Sequence, residues 1–204
     1  MLQSPAITHS GTLTVQLEPI IQLTDDEFFS FCQLNRELRI ERTSQGEMII
    51  MSPASGGSSN RNANLTTEIN IWARKNGQGV VFDSSAGFIL PNKAIRSPDV
   101  AWVQRDRLTQ LADSDKDKFL PLAPDFVLEL KSPSDRLSVL QDKMAEYIAN
   151  GVQLGWLIAP DTRQVFVYQP THPPQQLDNP TTLSGDPTLL GFLLDLTHIW
   201  EPAW

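Results

Sequence analysis

A lone cysteine, Cys32, in 204 residues leaves no partner for an internal disulfide and fits a reducing compartment. It lies among Phe28, Phe29, Phe31 and Leu34, where a small apolar side chain packs, and it is given no catalytic role. Long apolar runs are missing too. Nothing approaches the roughly twenty residues of a membrane helix, and the opening MLQSPAITHSGT has neither the basic start nor the apolar segment of a secretion signal. A cytoplasmic protein with no membrane partner is expected. Positive charge is in deficit, with 16 Lys and Arg against 24 Asp and Glu for a net charge of −8. That balance argues against a protein that coats nucleic acid through its overall charge, so any such contact must be local or metal-assisted. The three histidines, His9, His172 and His198, are dispersed over an arm, a proline-rich loop and a terminal turn, which argues against a zinc site or a nucleophilic triad. No glycine-rich phosphate loop occurs.

What the chain does contain is enough apolar residue, 40%, to bury one sizeable core. Residues 1–17 are expected as a flexible arm with an irregular lead-in, and residues 18–204 as a single domain. Thr24-Asp25-Asp26-Glu27 is a capping box opening a short helix near Asp25. LRIERTSQGEMIIMSP reads as a hairpin around Ser44-Gln45-Gly46. Leu65, Ile69, Trp72 and Ala73 recur at helical spacing between Asn60 and Asn76, with ASGGSSN as a flexible entry. Short strands follow near Val80–Phe82, Gly87–Leu90 and Asp99–Val103, and then a charged surface stretch with one turn of helix. Leu137–Asn150 is a helix stopped by Gly151, its start supplied with turn and N-cap chemistry by SPSD. LGWLIA and QVFVYQ form a hairpin, Pro170–Pro180 is an exposed loop holding four prolines, and GFLLDLTHIW closes the chain. The fold class is therefore α/β in the broad sense (α+β): a mixed central sheet flanked by helices.

The stretch Pro124–Ser138 carries the chemistry. Phe126, Val127, Leu128 and Leu130 read as a buried strand, and alternation puts Glu129 and Lys131 on one face of it. Burying either charge alone costs several kcal/mol, on the order of the penalty for a desolvated ion. The pair therefore meets a cation, an anion or each other. Asp99, after Pro98, opens a strand about thirty residues earlier, and two carboxylates with a lysine on adjacent strands suit a hard cation such as Mg²⁺ or Mn²⁺. An internal ion pair and a turn-capping carboxylate account for the same residues without catalysis.

Pro98-Asp99 followed by Glu129-x-Lys131 resembles the PD-(D/E)xK nuclease superfamily. Together GEMIIMSP, RSPDVAWV, VLELKSPSDR and the K-x-x-x-Y-x-x-x-G-V-x-x-x-W element starting at Lys143 resemble its restriction-endonuclease branch usually called Uma-two, over roughly residues 20–200. The resemblance implies a restriction-endonuclease-like core and a metal-dependent endonuclease acting on DNA. Asp99, Glu129 and the carbonyl of Leu130 would bind Mg²⁺ or Mn²⁺, Lys131 would assist, and Lys143 would lie near the site. Many relatives carry an acidic or histidine residue at the entry to the second helix, where ASGGSSN has none. Glu68 is the reserve ligand, although a solvated surface carboxylate is the commoner fate of such a residue. Arg136 and Lys143 share one edge of their helix, either snorkelling to water or facing phosphate. Trp200 and Trp204 are candidates for a homodimer interface, against core packing for Trp200. The other class of function is a nuclease-fold binding or regulatory protein without activity.

Overall fold

The computed structural model describes residues 12–76 and 78–202. In chain order the elements are β1 (Thr12–Val15), α1 (Asp25–Leu34), β2 (Arg39–Arg42), β3 (Met48–Met51), α2 (Gly56–Asn76), β4 (Gly79–Asp83), β5 (Phe88–Ile89), β6 (Ile95–Arg96) and β7 (Val100–Gln104). They continue with α3 (Arg105–Thr109), α4 (Asp113–Lys116), β8 (Phe126–Leu130), α5 (Leu137–Ala149), β9 (Leu154–Ala159), β10 (Gln164–Tyr168), β11 (Gln175–Asp178), β12 (Thr182–Ser184), β13 (Leu193–Asp195) and α6 (Thr197–Trp200). Among the described residues no helix is long and apolar enough to cross a membrane.

The larger sheet has six strands in the order β11-β10-β9-β8-β7-β4. Only β8 and β9 run parallel, and α5 is the crossover that a parallel pair requires. Every residue of β8 and β9 is buried, as a strand covered on both faces must be. On one face Val100, Trp102, Phe126, Leu128, Trp156 and Ile158 pack against Leu65, Ile69 and Ala73 of α2 and against the C-terminal segment. On the other, Ala101, Val103, Val127 and Leu157 pack against Met144 and Tyr147 of α5. Gly155 permits the second contact, because a Cβ there would collide with the Met144 methyl. Close seating of α5 on β9 also holds Lys143 and Tyr147 over β8.

The smaller sheet, β1-β3-β2-β6-β5, folds with α1 around Phe28, Ile40, Met48 and Ile95. The capping box forms as read: Thr24 Oγ1 accepts from the Glu27 N–H at 3.2 Å, and the Glu27 carboxylate accepts from the Thr24 N–H at 2.8 Å. Cys32 packs partly buried in this cluster, and burial pushes its thiol up to about 11, which suits a structural role.

Several local expectations change. Residues 1–11 of the expected arm lie outside the described residues, but Thr12–Val15 is a strand paired with β3 rather than an irregular lead-in. The helix α2 begins at Gly56, inside the expected flexible entry, because Ser55 Oγ accepts from the Ser58 N–H at 3.3 Å as an N-cap does. The SPSD segment makes a turn but no cap: Asp135 accepts from the Ser132 N–H at 2.8 Å, while Arg136 precedes α5 without a side-chain cap. The charged stretch after β7 holds two short helices, and its end is anchored by buried Leu120, whose N–H and C=O bond Gly87 and Ile89. Part of the expected loop at 170–180 is β11, which extends the sheet beside β10. Trp200 packs on the α2-side core and its indole N–H donates to the Pro180 carbonyl at 2.8 Å; Trp204 lies outside the described residues.

Candidate active site

Antiparallel pairing sets Val100 opposite Leu128, so Asp99, one residue before β7, falls across from Glu129. Asp99 is held twice. Its Oδ2 accepts from the Leu130 N–H at 2.8 Å and its Oδ1 from Asn62 Nδ2 at 3.1 Å. An Arg39 terminal nitrogen stands 3.9 Å from the same Oδ1. Glu129 projects on the same face as Val127, toward α5. Lys143 and Tyr147, one helical turn apart, both reach its Oε1: Lys143 Nζ at 2.8 Å and the Tyr147 hydroxyl, donating, at 3.0 Å.

Lys143 Nζ also donates to Glu41 Oε1 at 2.9 Å. Glu41 comes from β2 of the smaller sheet, so this ammonium ties the two sheets together. The Glu41 carboxylate accepts in addition from the Ser97 N–H at 2.9 Å and from Arg96 at 3.2 Å, and Arg96 Nε reaches Glu146 at 2.6 Å. Asp99, Glu129, Glu41 and Glu146 thus bring four carboxylates against the cations Lys143 and Arg96, with Arg39 at the margin.

Titration behaviour follows from that balance. Burial pushes the Glu129 carboxyl up to about 7; Lys143 opposes the shift, and Asp99 and Glu41 add to it. Burial likewise raises Asp99, against the Leu130 N–H, Arg39, Lys143 and Asn62. For Glu41 burial is again the largest influence, but Lys143 and Arg96 outweigh it and the carboxyl falls below its ordinary value. Lys143 is raised, since Glu129 and Glu41 overcome the burial that disfavours its charge. Burial, more than any neighbouring charge, makes these two carboxylates hold their protons, and Lys143 works against it at both.

Asp99, Glu129, Lys143 and the backbone of Leu130 are therefore assembled in one place. Lys131 is not part of that assembly. It lies one residue past β8, and its ammonium pairs with Asp161 of the β9–β10 turn at 2.7 Å, with no ion pair to Glu129 or Asp99. Glu68 is exposed on α2 and Arg136 is exposed ahead of α5, so neither reaches the carboxylates, and Lys143 is buried between them rather than snorkelling at a helix edge. Glu41, Asn62 and Arg39 were missed. LRIERT reads only as one arm of a hairpin, and no local signal announces that Lys143 of α5 reaches Glu41. Asn62 lies within one turn of Leu65, the first apolar residue of the α2 periodicity, but an asparagine among Asn60, Asn62 and Asn64 carries no signal of its own.

A divalent cation fits this donor set in one particular way. Among the described residues no three His, Cys, Asp or Glu side chains converge as a metal cage. Asp99 and Glu129 supply hard oxygens in desolvated surroundings, and beside them the buried Asn62 Oδ1 has no hydrogen-bond partner. That matches an ion that binds through one or two carboxylates and keeps water and substrate phosphate as its other ligands, as Mg²⁺ does.

A family profile described as "Putative restriction endonuclease", Uma2, matches residues 25–197. The chain belongs to the Uma2 family. Nuclease is the general function that this membership carries. No curated protein matches the chain. Among solved structures it is similar to a "putative nuclease belonging to DUF820" from Anabaena variabilis ATCC 29413, with a TM-score of 0.70 and 22% identity over 88% of this chain and 98% of that one. At that identity the likeness establishes the shared fold, a restriction-endonuclease-like core. Within the Uma2 chain, the matched region takes in every strand of the two sheets except β1, and every residue of the Asp99–Glu129–Lys143 centre.

Proposed function

We propose that this Uma2 protein is a metal-dependent endonuclease that hydrolyses DNA phosphodiester bonds at the Asp99–Glu129–Lys143 centre. The observation that carries the reading is the convergence of Glu129, buried, and Asp99, 12% exposed at its side chain, both raised in pKa, beside one charged lysine. Asp99, Glu129 and the Leu130 carbonyl would hold Mg²⁺ or Mn²⁺, which when bound polarises phosphate and lowers the pKa of water. The chain's own groups do the rest. Leu130 N–H and Asn62 fix the Asp99 carboxylate, and Tyr147 and Lys143 fix that of Glu129, so neither must reorganise as charge develops. Lys143 stays protonated because Glu129 and Glu41 raise it, and it offsets negative charge on the phosphate in the transition state. Arg39, about a third exposed beside Asp99, presents a guanidinium to the arriving backbone. Cutting both strands of a duplex calls for two such centres, hence a homodimer, which sedimentation equilibrium tests.

Plasmid nicking by purified protein in Mg²⁺ or Mn²⁺ decides the reading. The wild type should nick, whereas Asp99→Asn and Glu129→Gln, which remove ligand charge at nearly constant volume, should not while still unfolding cooperatively. Undiminished nicking by both variants rules the centre out. A wild type that binds DNA without cutting it instead supports a nuclease-fold binding protein, for which the saturation of Lys143 by two carboxylates is the favouring observation.

A further inference from the structure

Beside the carboxylate centre lies a second feature that the hydrolytic reading does not use. The first turns of α2, the end of β8 and the β9–β10 turn enclose a cavity of about 160 Å³ lined by Ser58, Arg61, Leu130, Lys131, Pro133, Pro160 and Asp161. Leu130 belongs to both places, since its N–H is held by Asp99. Two cations face one carboxylate here, in a chain whose net charge is −8. Arg61 is anchored by its Nε, which donates to the Ile199 carbonyl at 2.7 Å. Both of its terminal nitrogens then lack a protein acceptor among the described residues. Ser58 is 7% exposed, and its oxygen accepts from Ser55 Oγ at 3.2 Å, which leaves its own hydroxyl proton to be donated. The long helix α2 has no acidic residue in its first turn, so nothing there opposes an anion at its positive end.

We infer that this cavity binds a DNA phosphate next to the scissile one, with Lys131 and Arg61 as its cations. The inference rests on the nuclease reading above. Lys131 lies two residues beyond Glu129, about 7 Å along an extended strand, so the cavity adjoins the carboxylate centre at the end of β8. Asp161, half exposed, holds the Lys131 ammonium across the cavity. An incoming phosphate competes with that carboxylate for the lysine, so Asp161 sets the affinity. In this arrangement Lys131 holds DNA and takes no part in the chemical step.

The test is binding of a fluorescent DNA duplex by the full chain in EDTA, over a series of KCl concentrations. Lys131→Gln and Arg61→Gln should each weaken binding about 3–10-fold and reduce the magnitude of the salt slope by about one. Lys131→Arg should restore both, and Asp161→Asn should tighten binding several-fold. Arg61→Lys keeps the charge but loses the Ile199 anchor, which separates charge from helix packing. Wild-type binding with unchanged affinity and slope in Lys131→Gln and Arg61→Gln overturns the subsite alone. No wild-type binding in EDTA or in Ca²⁺ overturns the subsite, and the nuclease reading falls with it only where the wild type also fails to nick plasmid in Mg²⁺ and Mn²⁺.

Discussion

Lys131 and Lys143 flank Glu129 and are almost equally buried, at 10% and 13% side-chain exposure, yet they live in different electrostatic regions. Lys143 faces Glu129 and Glu41, 6% and 3% exposed, whereas Lys131 faces Asp161, 47% exposed. A lysine's own burial therefore says little about what its charge is doing. The partner decides. Where the carboxylates are sealed, the ammonium is the main thing keeping them ionised and its loss strands buried charge. Where the carboxylate reaches water, the pair exchanges readily and suits a group that must change partner when ligand arrives.

The largest expected effect comes from breaking the sealed region. Lys143→Met should lower stability by about 3–5 kcal/mol at pH 8, measured by urea unfolding, because two buried carboxylates lose their shared cation. The loss should shrink at pH 5.5, where Glu129 is protonated in the native state, and adding Glu129→Gln should recover part of it. A loss of the same size at both pH values removes the electrostatic account of this junction.

Next comes the pH dependence of the intact protein. Glu129 rises from an ordinary 4.5 to about 7 on folding, so between those values the native state holds a proton that the unfolded chain has released. Stability contributed by this group accordingly falls as pH rises through that window and is flat above it. Glu129→Gln should be the more stable of the two proteins at pH 8, and the gap should close toward pH 4.5. A variant less stable than wild type at pH 8 shows that the carboxylate's bonds to Lys143 and Tyr147 outweigh its burial.

The open region should respond far less. Lys131→Gln should change unfolding free energy by no more than about 1 kcal/mol, with its consequence confined to DNA affinity. Smallest of all, Glu68→Ala and Arg136→Ala, both exposed, should fall within about 0.5 kcal/mol and leave nicking intact; loss of nicking in Glu68→Ala returns that residue to the metal site.

The same contrast separates what the sequence discloses from what it hides. The capping box at Thr24, the hairpin at 39–51 and the buried strand around Glu129 are local, and each is written in residues a few positions apart. Asp99 and Glu129 were also legible, because their pattern is tied to strand starts and ends. Glu41 was not, since its meaning comes from Lys143, 102 residues away, across a sheet boundary. Alternation placed Lys131 on the face of Glu129, but past the strand end a long flexible stem follows the nearest carboxylate, and Asp161 is 30 residues off in sequence. The helix start failed for another reason. Gly56-Gly57 suggested flexibility, while a single serine at 55 was enough to cap the turn.

The division of labour between the two lysines is tested most directly by single-turnover cleavage at saturating DNA and Mg²⁺, comparing wild type, Lys131→Gln and Lys143→Arg. Lys131→Gln should cleave at close to the wild-type rate once enough protein is present to saturate the DNA. Lys143→Arg, which keeps the charge but changes the reach between Glu129 and Glu41, should be slower by roughly 10²-fold, as when one preorganised charge-stabilising group is displaced. A Lys131→Gln protein that is slow at saturation, beside a Lys143→Arg protein that is not, would place the chemistry on the strand lysine and contradict the account.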